Sequence, residues 1–185
     1  QVLDLGEYQA MILTTKDRSV KEVAYLQGLM QGIVDGIIFF DVEQHDPFVR
    51  EFGSSPAPVM FVGCSDPSIT RYVDNNVEDG AAQAIRHLLD RGHRAIRLLA
   101  GPEPMIFTRQ LVVGMRRAYT EFGCDPDQGQ VAYGEFTEAS GYEAAALLLG
   151  TEPAVTAVFT ASGKQAVGVM EYARQHDLQI PDRLS

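Results

Sequence analysis

Short apolar runs rich in Ile, Val and Phe recur along this chain, each followed by a longer segment with helical spacing. Runs of four to six apolar residues suit strands covered on both faces, and intervening helical segments supply the crossovers that parallel strands need. The spacing predicts strands over 9–14, 36–40, 59–63, 95–100, 130–133 and 156–160, with helices over 20–30, 46–52, 77–91, 108–122, 139–149 and 164–176. Such alternation places the chain among α/β proteins with doubly wound parallel sheets.

Helix punctuation agrees. Asn76 is positioned to cap the helix that begins at Val77, with Glu78 and Asp79 in the first turn, where the helix dipole favours anions. Gly92 and Gly123 stand where left-handed C-terminal caps belong, and Pro181 stops whatever follows Leu178. Ala81, Ala84, Ile85, Leu88 and Leu89 share one face, so this helix lies against a sheet. Residues 64–75 interrupt the alternation and form a candidate crossing between two lobes. Ligands of open α/β sheets collect outside the carboxyl ends of the strands, which directs attention to the ends of the runs 59–63, 95–100 and 156–160.

With 185 residues, 45% hydrophobic and 22% charged, the chain can bury a core without disulfides or metals. Fifteen basic against twenty-five acidic residues, a net −10, disfavour the phosphate neutralisation on which non-specific nucleic-acid affinity rests. Cys64 and Cys124 lie far apart and in no metal-ligand spacing, which fits a reducing, cytoplasmic setting with no metal and no cofactor. No apolar run approaches the length of a membrane span. Phosphate-loop and dinucleotide fingerprints are missing. His45, His87, His93 and His176 are scattered, and Asp35 reads as a turn residue ahead of a strand. No paired acids, and no nucleophile beside a base, point to an enzyme.

Three stretches in order, "VDGIIFF", "VDNNVEDGAAQAIRHLLDRGHRAIRLLAGP" and "GEFTEASGYEAA" running on to "AVTAVFTASGKQAVGVMEYARQHDLQIPDRLS", resemble the effector-binding core of the lactose-repressor/galactose-repressor (LacI/GalR) family. The resemblance implies two doubly wound parallel-sheet lobes of the type I periplasmic binding protein kind, incomplete at both ends. Residues 1–76 would form part of the lobe nearer a DNA-binding headpiece, and 77–185 part of the far lobe. It further implies a small-molecule effector between the lobes, a homodimer, and contact with operator DNA through a headpiece outside this chain. An extracytoplasmic solute-binding protein of a transporter shares the fold and is the alternative.

By the same resemblance, Phe136 matches the aromatic that stacks on the ligand, Asn75 the crossing strand that touches it, and Met105 and Phe107 the loop lining the cleft. The family's Arg, three residues before a helix glycine, is replaced by Leu111, with Arg109 two places earlier; Ser162 and Gly163 replace the usual Asn-Asp. Where sugar-binding members carry polar groups at strand ends, this chain has Phe40 and Gly63. These exchanges imply a sugar or a more apolar metabolite as effector. Phe40 and Phe136 also read as core residues at strand ends.

Overall fold

The computed structural model describes residues 9–13, 20–40, 46–64, 66–149 and 155–185. Two three-stranded parallel sheets organise them. The first has the order β1 (Ile37–Phe40), β2 (Val59–Val62), β3 (Tyr72–Val73), with helix α1 (Val20–Leu29) before β1 and α2 (Pro47–Phe52) in the connection from β1 to β2. α3 (Val77–Asp90) then leads into the second sheet, whose central strand β4 (Ile96–Ala100) lies between β5 (Gln130–Tyr133) and β6 (Ala157–Thr160). α4 (Ile106–Glu121), α5 (Glu138–Leu148) and α6 (Gly163–Gln175) complete the alternation.

The helix boundaries follow the punctuation. The Asn76 side chain accepts from the Asp79 N–H at 3.1 Å, and Asp46 caps α2 in the same manner through the Phe48 N–H. Gly92 and Gly123 adopt φ of 91° and 74°, the left-handed geometry that ends a helix without a Cβ clash. α6, by contrast, ends well before Pro181: His176 is its cap and Asp177 turns the chain at φ 54°.

Two expectations are corrected. Residues 9–13 have no regular structure although their composition suits a strand, while Thr14 and His45 lie outside the described residues. A strand exists through its ladder of inter-strand hydrogen bonds, and 9–13 pair with no strand among the described residues, leaving Ile12 90% exposed. Residues 64–75 are not wholly irregular, since β3 within them pairs with β2 in the register Phe61↔Tyr72.

The core forms in three clusters. Beneath the first sheet, Phe39 of β1 stacks on Phe61 of β2 and on Phe48 of α2 and meets Phe52 of α2 at a tilt, with α1 packed in the same cluster. Under the second sheet, Ile96, Leu98 and Ala100 meet α3 and α4, whereas Leu99 meets α5 and α6. The period-two alternation of a strand thus serves both cores from β4, which is buried along its whole length. Arg97, on the same strand, is buried as well, and burial lowers its guanidinium below the ordinary value.

Candidate functional site

Because all strands within a sheet run parallel, their carboxyl ends share one edge. Phe40 is the last residue of β1, Gly63 follows β2, and Asn75 stands two residues past β3. Met105 and Phe107 flank the start of α4 after β4, Phe136 follows β5, and Ser162 follows β6. Phe40 is 65% exposed, so it is not a core residue; its neighbour Phe39 takes that place. Leu111 lies in the opposite environment, 4% exposed among the side chains packed between α3, α4 and the second sheet. Arg109 is exposed one turn into α4.

Phe136 and Phe107 are half-buried and meet edge to face, with ring centroids 6.2 Å apart. Such a geometry sets the positive edge of one ring against the negative face of the other. The Phe136 ring also lies over Gly101, where any Cβ would collide with it. The glycine of "AGP" is therefore required by this ring. Beside it, Thr108 is fully buried, and its hydroxyl has no hydrogen-bond partner among the described residues.

Gln165 joins the three strand ends, and sequence reasoning missed it. It is 0% exposed, and its amide nitrogen donates to the Ala100 carbonyl at 3.0 Å and the Glu135 carbonyl at 3.1 Å. The Ser162 hydroxyl donates to the Gln165 Oε1 at 3.3 Å and accepts from the Gln165 backbone N–H at 3.2 Å, capping α6. A usable signal existed: Ser-x-x-Gln before an apolar helix is the capping-box pattern. In the ordinary box the third-position side chain returns to the cap residue's backbone N–H. Here its amide reaches the neighbouring strands instead.

The two carboxyl edges approach each other where α4 begins. Ile106 packs against the core of the first sheet, and the Gln110 amide donates to Asp74, just past β3, at 3.4 Å. A hollow of about 250 Å³ lies there, between Asp66 and Pro67 on one side and Glu78, Ile106, Arg109, Gln110 and Val113 on the other. Of the sequence-derived candidates, Arg109 lines it. Glu78 and Asp79 share Arg117 at 2.8 Å each, and the Gln83 amide, aided by Arg117, holds the Asp79 carboxyl below its ordinary value. Burial pushes the Cys64 thiol up, away from the reactive thiolate form.

His93 and His176 serve local structure. His93 bonds Thr156 at 2.9 Å, and His176 stacks on Tyr172 with ring centroids 3.9 Å apart. Among the described residues no group of three His, Cys, Asp or Glu is arranged to hold a metal, and no helix is long and apolar enough to cross a membrane.

Comparison with known proteins matches residues 85–185 to the family described as "Periplasmic binding protein-like domain". Catabolite control protein A of Priestia megaterium is 30% identical over 99% of this chain and 56% of its own length. A LacI-family regulatory protein from Chloroflexus aggregans superposes with a TM-score of 0.83 at 28% identity, covering 98% of this chain and 66% of that one. The regulator CelR in complex with cellobiose also gives 0.83, at 29% identity over 99% of this chain and 57% of that one. The chain spans about half the length of the curated relatives it matches. Two parallel sheets with their carboxyl edges drawn together, and these relatives, show that the chain belongs to the periplasmic binding protein-like family, as the effector-domain fold of LacI/GalR-type regulators.

Proposed function

We propose that the chain is the effector-binding and dimerisation domain of a DNA-binding transcription regulator, a repressor working in the cytoplasm. Its lobes would be residues 1–76 and 77–185, with the effector held between them. The observation that carries this reading is the placement of candidate residues at or beyond the carboxyl end of each described strand, on edges that the start of α4 draws together. Enzyme chemistry is not needed for this role, and the named relatives are regulators. That also favours this reading over a transporter's solute-binding protein.

An effector in the cleft would favour one arrangement of the lobes, and a homodimer would pass the change to paired headpieces whose spacing matches two DNA half-sites. The coupling between effector and operator affinity is typically ~1–3 kcal/mol. With its net −10, the domain would leave contact with DNA phosphates to the headpiece.

The effector presents a ring face to Phe136, as a sugar or a more apolar aromatic metabolite does. The cellobiose held by the relative CelR supports the sugar class. Phe107, Met105, Asn75 and Ser162 border that position, Phe40 and Gly63 face it from the first sheet, and Arg109 takes the part of the family arginine that Leu111 replaces.

Calorimetric titration with mono- and disaccharides, cellobiose included, and with purines tests the reading. Phe136→Ala is expected to weaken binding by roughly 1–3 kcal/mol through lost stacking and burial. An unchanged affinity in the folded variant removes Phe136 from the site. Arg109→Ala is expected to weaken a polar effector by ~1–3 kcal/mol, the range for a hydrogen bond to a charged group; a bound structure with Arg109 turned to bulk water refutes its role.

A further inference from the structure

Gln165 sends its amide across to two neighbouring elements and keeps its oxygen for the cap of its own helix. Its two amide hydrogens reach the carbonyls of Ala100 and Glu135, which end β4 and follow β5, while its oxygen takes the hydroxyl of Ser162 beyond β6. A carboxamide has two donor hydrogens and one acceptor oxygen, so both donors and the oxygen are engaged at once. Both carbonyls lie next to residues that seat the aromatic pair: Ala100 precedes Gly101, on which the Phe136 ring rests, and Glu135 precedes Phe136 itself.

We infer that Gln165 is a positioning residue of the cleft, a clasp that sets the separation of the three strand ends and thereby fixes the Phe136 ring over Gly101. The inference deepens the effector-cleft reading and rests on it for its purpose, but the clasp itself is made entirely of this chain's own residues. Strand pairing alone holds β4 to its neighbours only as far as Ala100↔Tyr133 and Leu99↔Thr160. Beyond those residues the backbone leaves the ladder, and the carboxamide bridges the gap that the ladder no longer closes. A loop so held can present a ring at a constant height without the effector supplying the ordering, which lowers the entropic cost of binding.

The test is backbone ¹⁵N relaxation on the 185-residue chain, comparing it with Gln165→Met, which keeps length and volume and removes the side-chain carboxamide's hydrogen bonds. In the parent, amides at 101, 103 and 134–137 should show order parameters of about 0.85, as in rigid backbone; in Gln165→Met they should fall below about 0.6. Order parameters within α3 and the body of α4 should not change. Equal values at the rim in both proteins, or a uniform loss throughout the second sheet and its helices, overturns the inference. Should Gln165→Met fail to fold, Ser162→Ala frees one side of the carboxamide and must lower the order parameters at 134–137 in the folded protein; unchanged values there also overturn it. Because no effector enters the measurement, a failure of the clasp is separate from a failure of the cleft reading, which calorimetry decides.

Discussion

The two sheets are built from similar apolar runs and end in different environments. In β4 every residue is buried, because α3 and α4 cover one face and α5 and α6 the other. In β1 only the face bearing Phe39 is buried; Ile38 is 60% exposed, and Phe40, on the same face, is exposed too. Tyr72 and Val73 of β3 are likewise open. A hydrophobic run therefore records a capacity for burial on both faces, while actual burial depends on whether a second helix layer is present. The first sheet of the described residues has one such layer, formed by α1 and α2.

Truncations in one strand of each sheet should separate these environments most strongly. Leu99→Ala removes a fully buried side chain between the second sheet and α5/α6, and should cost about 2–5 kcal/mol in urea denaturation. A loss under about 1 kcal/mol would mean that this core collapses around the cavity, and that the contrast between the sheets is weaker than burial suggests. Ile38→Ala, on the open face of β1, should change stability by no more than about 0.5 kcal/mol, the range of surface substitutions. A cost comparable with that of Leu99→Ala would show that something covers this face in solution.

The smallest expected effect concerns α6. Hydrogen bonds from Arg174 and Gln175 hold the Glu171 carboxyl down to about 2, from an ordinary value of 4.5. A carboxyl depressed on folding stabilises the native state above its unfolded value, and that contribution fades as pH falls from 4.5 towards 2. The pair is exposed and screened by solvent, so Glu171→Gln should flatten the acid limb of the stability curve only slightly. An NMR titration of the Glu171 side chain near its ordinary value would remove the pairing from solution.

Much of the architecture was legible from residue order. The strands 37–40, 59–62, 96–100, 130–133 and 157–160 lie within the runs read as strands, and the helix caps Asn76, Gly92 and Gly123 stand where residue type places them. These features are local: a period of two or 3.6, a capping oxygen, or a glycine at positive φ is decided within a few residues. The site was less legible. Phe40 was open to a core reading and is exposed, while Leu111, placed by resemblance at the cleft, packs under the second sheet. Arg109 stands two residues from Leu111, and so on the opposite side of the helix from the buried face, and a linear pattern offers no view of which face a neighbour covers.

Gln165 marks the same boundary. Its spacing from Ser162 announces a helix start, and nothing nearby in the chain says that the amide will bond carbonyls 65 and 30 residues away. Composition and periodicity alone determined that this protein is an α/β chain of parallel strands and crossover helices, since the side-chain period of two or 3.6 that separates strand from helix is carried by consecutive residues. Tertiary structure decided which strand faces are covered, which segment with strand composition finds no ladder, and where a buried carboxamide spends its hydrogen bonds. Those outcomes depend on groups far apart in sequence, and burial or pairing acquires its free energy only when both partners arrive.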